Sequence, residues 1–144
     1  MSPERRALTT IVLVLAACTG GCARLPEPVP IAKGTPCALC GMEVSDLGFA
    51  CERARKDGVR IYDSIECLLR DRPVAGDRVY LTDYDSRALH RADSLWIVKG
   101  YFPTPMGGGL ACFLSRSAAN EVAVRAHGRV GAWSAAMELL GSAP

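Results

Sequence analysis

The chain has 144 residues, of which 49% are hydrophobic and 22% are charged, and its formal net charge is +2 at pH 7. This length suits one domain, and the composition is ordinary for a soluble fold. Only 6% of the residues are aromatic and no basic stripe lies among them, so nothing in the composition supports nucleic-acid binding.

The first 17 residues have the layout of a secretory signal peptide. Arg5 and Arg6 precede an apolar run over 7–17, which is much shorter than the ~20 residues that cross a bilayer as a helix. The run ends in LAAC, which looks like a bacterial lipobox with Cys18 as the lipidated residue. We therefore predict a signal peptide over 1–17 and a lipid anchor on Cys18. This anchor would hold the protein at the cell membrane, facing the periplasm; an ordinary signal peptide is the alternative.

The segment that follows is rich in residues that interrupt regular structure. Residues 19–36 contain four prolines and three glycines, a composition typical of an extended linker. We predict a lipidated flexible tether over 18–35 and one folded domain over 36–144.

Within the domain, short apolar runs and turn residues predict an α+β fold. Its two halves share an order of strand, connection, strand and helix, which favours small and mostly antiparallel sheets with helices packed on them. The predicted strands cover 47–55, 59–63, 78–84, 94–99 and 110–115; the predicted helices cover 64–71, 118–127 with Ser117 as its cap, and 133–140.

The strongest local motif is the pair of cysteines Cys37 and Cys40. A thioredoxin-like site would place the pair at the start of a helix, whereas here Gly41 follows and a strand comes next. A zinc knuckle needs a second ligand pair, and the later cysteines stand singly while His90 and His127 are far apart in sequence. A plain disulfide and a site for a soft metal both stay open.

Two methionines favour the soft-metal interpretation. Met42 follows Cys40 by two residues, and Met106 lies in the segment TPMGGG. Glycines let the backbone turn sharply and approach other groups closely, so this loop is able to present a thioether. Thiolate and thioether together select Cu(I). Met106 packing over a strand is the alternative, and Met137, in the last helix, is predicted to lie in the core.

The remaining cysteines have less specific surroundings. Cys67 falls in the first turn of the helix predicted from 64, where the helix dipole favours a thiolate. It is either a metal ligand or a buried apolar residue. Cys51 and Cys112 are predicted to be core residues of strands, and a disulfide between them is conceivable, although sequence does not fix connectivity.

Four segments together resemble a known family. They are CALCGMEV from 37, VRIYDSIECLLR from 59, VYLTDYDS from 79 and TPMGGGLACFLS from 104. They look like the successive motifs of the NosL family, the copper-binding lipoproteins that accompany nitrous oxide reductase, and the similarity covers about residues 36–130. The resemblance implies two small ββα-type modules related to the organomercurial-lyase fold.

The resemblance also implies a function without catalysis, namely delivery of Cu(I) to an extracytoplasmic cuproenzyme. The implied ligands are Cys40, Met42 and Met106, with Cys37 as a helper, and the family motif favours the ligand role of Cys67 over the buried apolar one. The implied partners are nitrous oxide reductase or a similar client, a complex that donates or transports copper, and the membrane. The segment 87–92 lacks the tryptophan and the acidic residue usual in the family; His90, which lies there, is either an extra ligand or merely exposed. The rival function is a thiol–disulfide oxidoreductase that uses Cys37 and Cys40.

Overall fold

The computed structural model describes residues 25–142, and these form an α+β fold with two antiparallel sheets. The strands are β1 (Cys51–Arg55), β2 (Gly58–Tyr62), β3 (Arg78–Thr82), β4 (Leu89–Arg91), β5 (Trp96–Lys99), β6 (Leu110–Phe113) and β7 (Arg129–Ala132). The helices are α1 (Ile65–Arg70), α2 (Arg116–Arg125) and α3 (Ala136–Gly141), with 3₁₀ turns at Ala92–Ser94 and Trp133–Ala135. The strand orders are β2-β1-β3-β4 and β6-β5-β7. The predicted fold class is confirmed.

The structure adds two strands that the sequence patterns did not predict. Both β4 and β7 are edge strands of three and four residues, too short to show a clear alternation of apolar and polar side chains. The start of α2 also differs from the prediction. Ser115 and not Ser117 caps it, because the Ser115 hydroxyl accepts from the backbone N–H of Ala118 at 3.3 Å.

The two sheets are joined through one short connection and share a core. Asp83 and Cys112 form a parallel bridge, and the backbone N–H of Tyr84 donates to the Cys112 carbonyl at 2.8 Å. The larger core includes Leu68 of α1 together with side chains from both sheets: Tyr62, Leu81, Ile97 and Leu110. The prediction that Met137 belongs to this core is wrong, since 54% of the residue is exposed and the buried residues of α3 are Ala136 and Leu139.

A buried ionic network fixes the end of α1 to the first sheet. Asp71, which caps the C-terminus of α1, binds the guanidinium of Arg53 and accepts from the Tyr62 hydroxyl at 2.6 Å. Arg53 is only 2% exposed, so the loss of Asp71 would leave a buried charge without its closest partner. The orientation of α1, and hence of its first turn, is therefore well determined.

Residues 25–35, which the sequence assigns to the tether, lie against the first sheet. The Val29 N–H donates to the Glu52 carboxylate at 3.1 Å, and the Gly34 N–H donates to the Val44 carbonyl at 2.9 Å. Cys18 and the predicted signal peptide lie outside the described residues. Among the helices of residues 25–142, none has the length and apolarity that a membrane span requires.

Candidate metal centre

The CxxC pair lies in a tight hairpin over residues 35–44. The Cys37 N–H donates to the Met42 carbonyl at 2.8 Å, and the Gly41 N–H donates back to the Cys37 carbonyl at 3.0 Å. Gly41 has φ of +76°, a left-handed conformation in which a side chain would be strained. The Ala38 N–H donates to the Ile61 carbonyl at 2.8 Å, which attaches the turn to β2. The hairpin is thus rigid, with its cysteines facing the end of β2.

The first turn of α1 provides the other half of the site. Ser64 is the N-cap, and its hydroxyl accepts from the backbone N–H of Cys67 at 3.3 Å. This cap places the Cys67 side chain in the first turn, as the sequence predicted. Asp63 precedes the cap directly and is 2% exposed.

These two elements bring four potential ligands into one cluster, which we name the thiol cluster: Cys37, Cys40, Asp63 and Cys67. One ligand atom from each residue lies within 4.8 Å of every other. Because metal–sulfur bonds are about 2.3 Å long, sulfur atoms around one ion lie at most about 4.6 Å apart. The cluster is therefore close to the size that a single ion requires.

The cluster is closed on one side and open on the other. Cys37, Asp63 and Cys67 are buried, at 4%, 2% and 0% exposure, whereas Cys40 is exposed. The Cys40 sulfur lies 3.9 Å from the Asp63 carboxylate. An ion bound here would be held from the inside by two thiols and would be accessible at Cys40.

The buried thiols favour their protonated form until a cation arrives. Burial raises the pKa of the Cys37 thiol, while the backbone N–H groups of Cys40, Asp63 and Leu39 act in the opposite direction. Burial also raises the pKa of Cys67, and the neighbouring Asp63 carboxylate and Cys40 thiol add to the increase. A metal that binds here therefore displaces protons.

Three of the five residues that the sequence proposed as ligands meet in this cluster: Cys37, Cys40 and Cys67. The fourth member, Asp63, was not proposed as a ligand from the sequence. Its position directly before the N-cap was the available signal, because a residue at that position can contact side chains of the first helical turn. Asp63 and Cys67 thus form a second pair of potential ligands beside Cys37 and Cys40.

The two proposed methionine ligands lie on different loops. Met42 is 47% exposed and belongs to the same hairpin as Cys37 and Cys40. Met106 is half-buried and packs against the larger core, which also contains Cys37 and Cys67. Both roles stay predictions.

The other sequence candidates lie elsewhere. Cys51 and Cys112 are completely buried free thiols, and the Cys51 sulfur contacts the Ser64 carbonyl at 3.3 Å. Burial raises the pKa of both thiols strongly, which agrees with their predicted core role. His90 is half-buried in β4 opposite Leu81, and it is not among the four residues of the thiol cluster.

Comparison with known proteins gives a match among solved structures. No protein-family model matches the sequence, and no curated protein matches it either. Among solved structures, the copper chaperone NosL from Shewanella denitrificans matches with a TM-score of 0.66 and 18% sequence identity, over 75% of this chain and 93% of that chain. The match is to a chaperone and not to an enzyme. The chain therefore has the fold of NosL, which is the fold that its sequence motifs implied.

Proposed function

We propose that this protein is a metallochaperone that binds one Cu(I) ion at the thiol cluster and transfers it to a cuproenzyme. The observation that supports this best is the assembly of three thiols and one carboxylate within 4.8 Å of one another, on a fold that matches a copper chaperone. Soft sulfur ligands suit Cu(I). The donor set alone also suits Zn(II), which binds cysteine thiolates and carboxylates.

The open side of the cluster suits transfer. A ligand from an incoming protein can reach an ion bound at Cys40, since this residue is exposed. Cys37 and Cys67 are buried and would release the ion last. Exchange of one donor at a time would move Cu(I) without leaving it free in solution, and no acid–base catalysis is needed.

The test is an anaerobic Cu(I) titration of the full chain in detergent, in competition with a chromophoric chelator. We compare the wild type with Cys40→Ala and Cys67→Ala, and we use Cys112→Ala as the matched control because Cys112 is a buried thiol outside the cluster. We expect both cluster variants to lose about 100-fold or more in affinity and the control to retain it. Equal affinities in all four proteins would contradict the proposal.

The same variants distinguish the rival function, a thiol–disulfide oxidoreductase. This activity would need only Cys37 and Cys40, whose hairpin is intact in Cys67→Ala. If Cys67→Ala retains full disulfide exchange while wild type has no Cu(I) affinity, the oxidoreductase is the better interpretation. If Cys67→Ala loses its affinity for Cu(I) and the wild type has no disulfide-exchange activity, the metallochaperone is the better interpretation.

The proposed client and the proposed location rest on the sequence motifs alone. We propose nitrous oxide reductase or a similar cuproenzyme as the client, a copper-donating or copper-transporting complex as the source, and a lipid anchor on Cys18 at the periplasmic face of the membrane. Metabolic labelling with a fatty-acid analogue tests the anchor, since Cys18→Ala should abolish the label. Copper content of the reductase in cells that lack this protein tests the client.

A further inference from the structure

The loop that carries Met106 is attached to α1 through hydrogen bonds to the Glu66 carboxylate. Thr104 Oγ1 donates to Glu66 Oε1 at 3.0 Å and accepts from the backbone N–H of Gly109 at 3.1 Å. The same carboxylate oxygen accepts from the Leu110 N–H at 3.4 Å. Glu66 therefore binds both ends of the loop over 104–109.

A carboxylate at this place is unfavourable for stability. Glu66 is completely buried, and its Oε2 atom has no hydrogen-bond partner among residues 25–142. Within the same residues no cation forms an ion pair with it. An apolar side chain would avoid the desolvation of this group, but it could not accept the hydrogen bonds from Thr104 and from the Leu110 N–H.

The loop is also held from its other side. A Cβ atom on Gly108 would lie 2.4 Å from Glu66 Cγ, so only glycine allows this close approach. Lys99, which is 7% exposed, donates from Nζ to the Gly108 carbonyl. The loop thus lies between two buried and oppositely charged side chains and has little freedom to move.

We propose that Glu66 is a positioning residue that holds the loop over 104–109 so that the Met106 thioether lies beside the thiol cluster. This inference rests on the proposed function, because it takes Cu(I) as the cargo. Met106 is two residues from both Thr104 and Gly108, and it packs against the core that contains Cys37 and Cys67. Glu66 directly precedes Cys67, so one helical turn fixes a thiol and, through the loop, the thioether.

Thr104→Val is the most direct test, because it keeps the side-chain shape and removes the hydroxyl. Thr82→Val is the matched control, since the Thr82 hydroxyl also makes a buried hydrogen bond, to Ala50, but lies in the first sheet. We measure Cu(I) and Zn(II) affinities of the full chain by anaerobic chelator competition. Each variant is measured both alone and in combination with Met106→Leu. X-ray absorption at the copper edge counts the sulfur neighbours.

We expect Thr104→Val to weaken Cu(I) binding about 10- to 100-fold, to leave Zn(II) affinity nearly unchanged, and to lower the sulfur count by one. It should cause no further loss when Met106 is already leucine. Glu66→Leu should behave in the same way, and Thr82→Val should retain wild-type affinities. Unchanged Cu(I) affinity in Thr104→Val and Glu66→Leu would overturn the proposal. The proposal would also be overturned if Thr104→Val lowered Cu(I) affinity by the same factor in the wild-type background and in the Met106→Leu background.

The result also separates this inference from the proposed function. If the wild type does not bind Cu(I), the metallochaperone proposal fails. If the wild type binds Cu(I) through its cysteines while Met106→Leu alone changes nothing, only the positioning role of Glu66 fails.

Discussion

Asp63 and Cys67 lie four residues apart on either side of the Ser64 cap, and the first turn of α1 brings the carboxylate and the thiol within 4.8 Å of each other. The same turn faces the CxxC hairpin, so a helix N-terminus provides the second pair of potential ligands. The site thereby combines soft thiols with one hard carboxylate. The preference of the site for Cu(I) or Zn(II) therefore depends on whether the carboxylate binds the ion together with the thiols.

Asp63→Asn should separate these two metals. The substitution keeps the shape and removes the charged oxygen donor, which Zn(II) accepts readily and Cu(I) binds poorly. We expect Zn(II) affinity to fall about 10-fold or more and Cu(I) affinity to change about 3-fold or less. Chelator competition with each metal measures this. Asp46→Asn, at an exposed carboxylate outside the cluster, is the control and should leave both affinities unchanged.

Cu(I) binding should weaken as the pH falls. The pKa values of Cys37 and Cys67 are raised by burial, so both thiols are protonated at neutral pH in the metal-free protein. Each proton that Cu(I) displaces makes the affinity fall about 10-fold per pH unit of acidification. Competition titrations between pH 6 and 8 measure the slope, and proton release on metal addition gives an independent count. An affinity that does not vary with pH would contradict binding through these thiols.

The thiols of the site were predictable from the sequence, whereas the carboxylate was not. Cys37 and Cys40 form a recognisable pair, and Cys67 could be placed in a first helical turn because Ser64 is a good cap. Asp63 was missed because an acidic residue before a helix also serves as a cap, which is the commoner role. Only the approach of the hairpin to α1, which depends on contacts between distant residues, shows that its carboxylate faces three sulfur atoms.

The fold was predictable where the apolar pattern was long enough. The hairpin of β1 and β2 and the start of α1 follow from local turn and capping residues, whereas α2 begins two residues before its predicted start because Ser115 caps it. Strands β4 and β7 are short and lie at sheet edges. Their extended conformation depends on pairing with β3 and β5 and is not indicated by their own sequence. The exposure of Met137 likewise depends on how α3 packs, which a six-residue helix does not reveal by its pattern.

Met42 and Met137 provide a matched pair of exposed methionines, at 47% and 54% exposure. Met42 lies in the CxxC hairpin, and if its thioether binds Cu(I), Met42→Leu should weaken Cu(I) affinity about 10-fold. Met137→Leu should have no effect, because its helix lies outside the cluster. Anaerobic titration of the two variants measures the difference. Equal affinities would remove Met42 from the ligand set and leave the thiol cluster as the site.

Gly108→Ala should destabilise the protein because of its contact with Glu66. A Cβ atom at this position would lie 2.4 Å from Glu66 Cγ, and the buried Glu66 side chain has little room to move away. Overpacking of this kind costs about 1–3 kcal/mol in the free energy of unfolding. Gly141→Ala is the control, since a Cβ atom there meets nothing within 4 Å and alanine favours the end of α3. Denaturant titration of both variants measures the effect. Equal unfolding midpoints would show that the loop over 104–109 moves to accommodate the methyl group, which would contradict its attachment at Thr104 and Lys99.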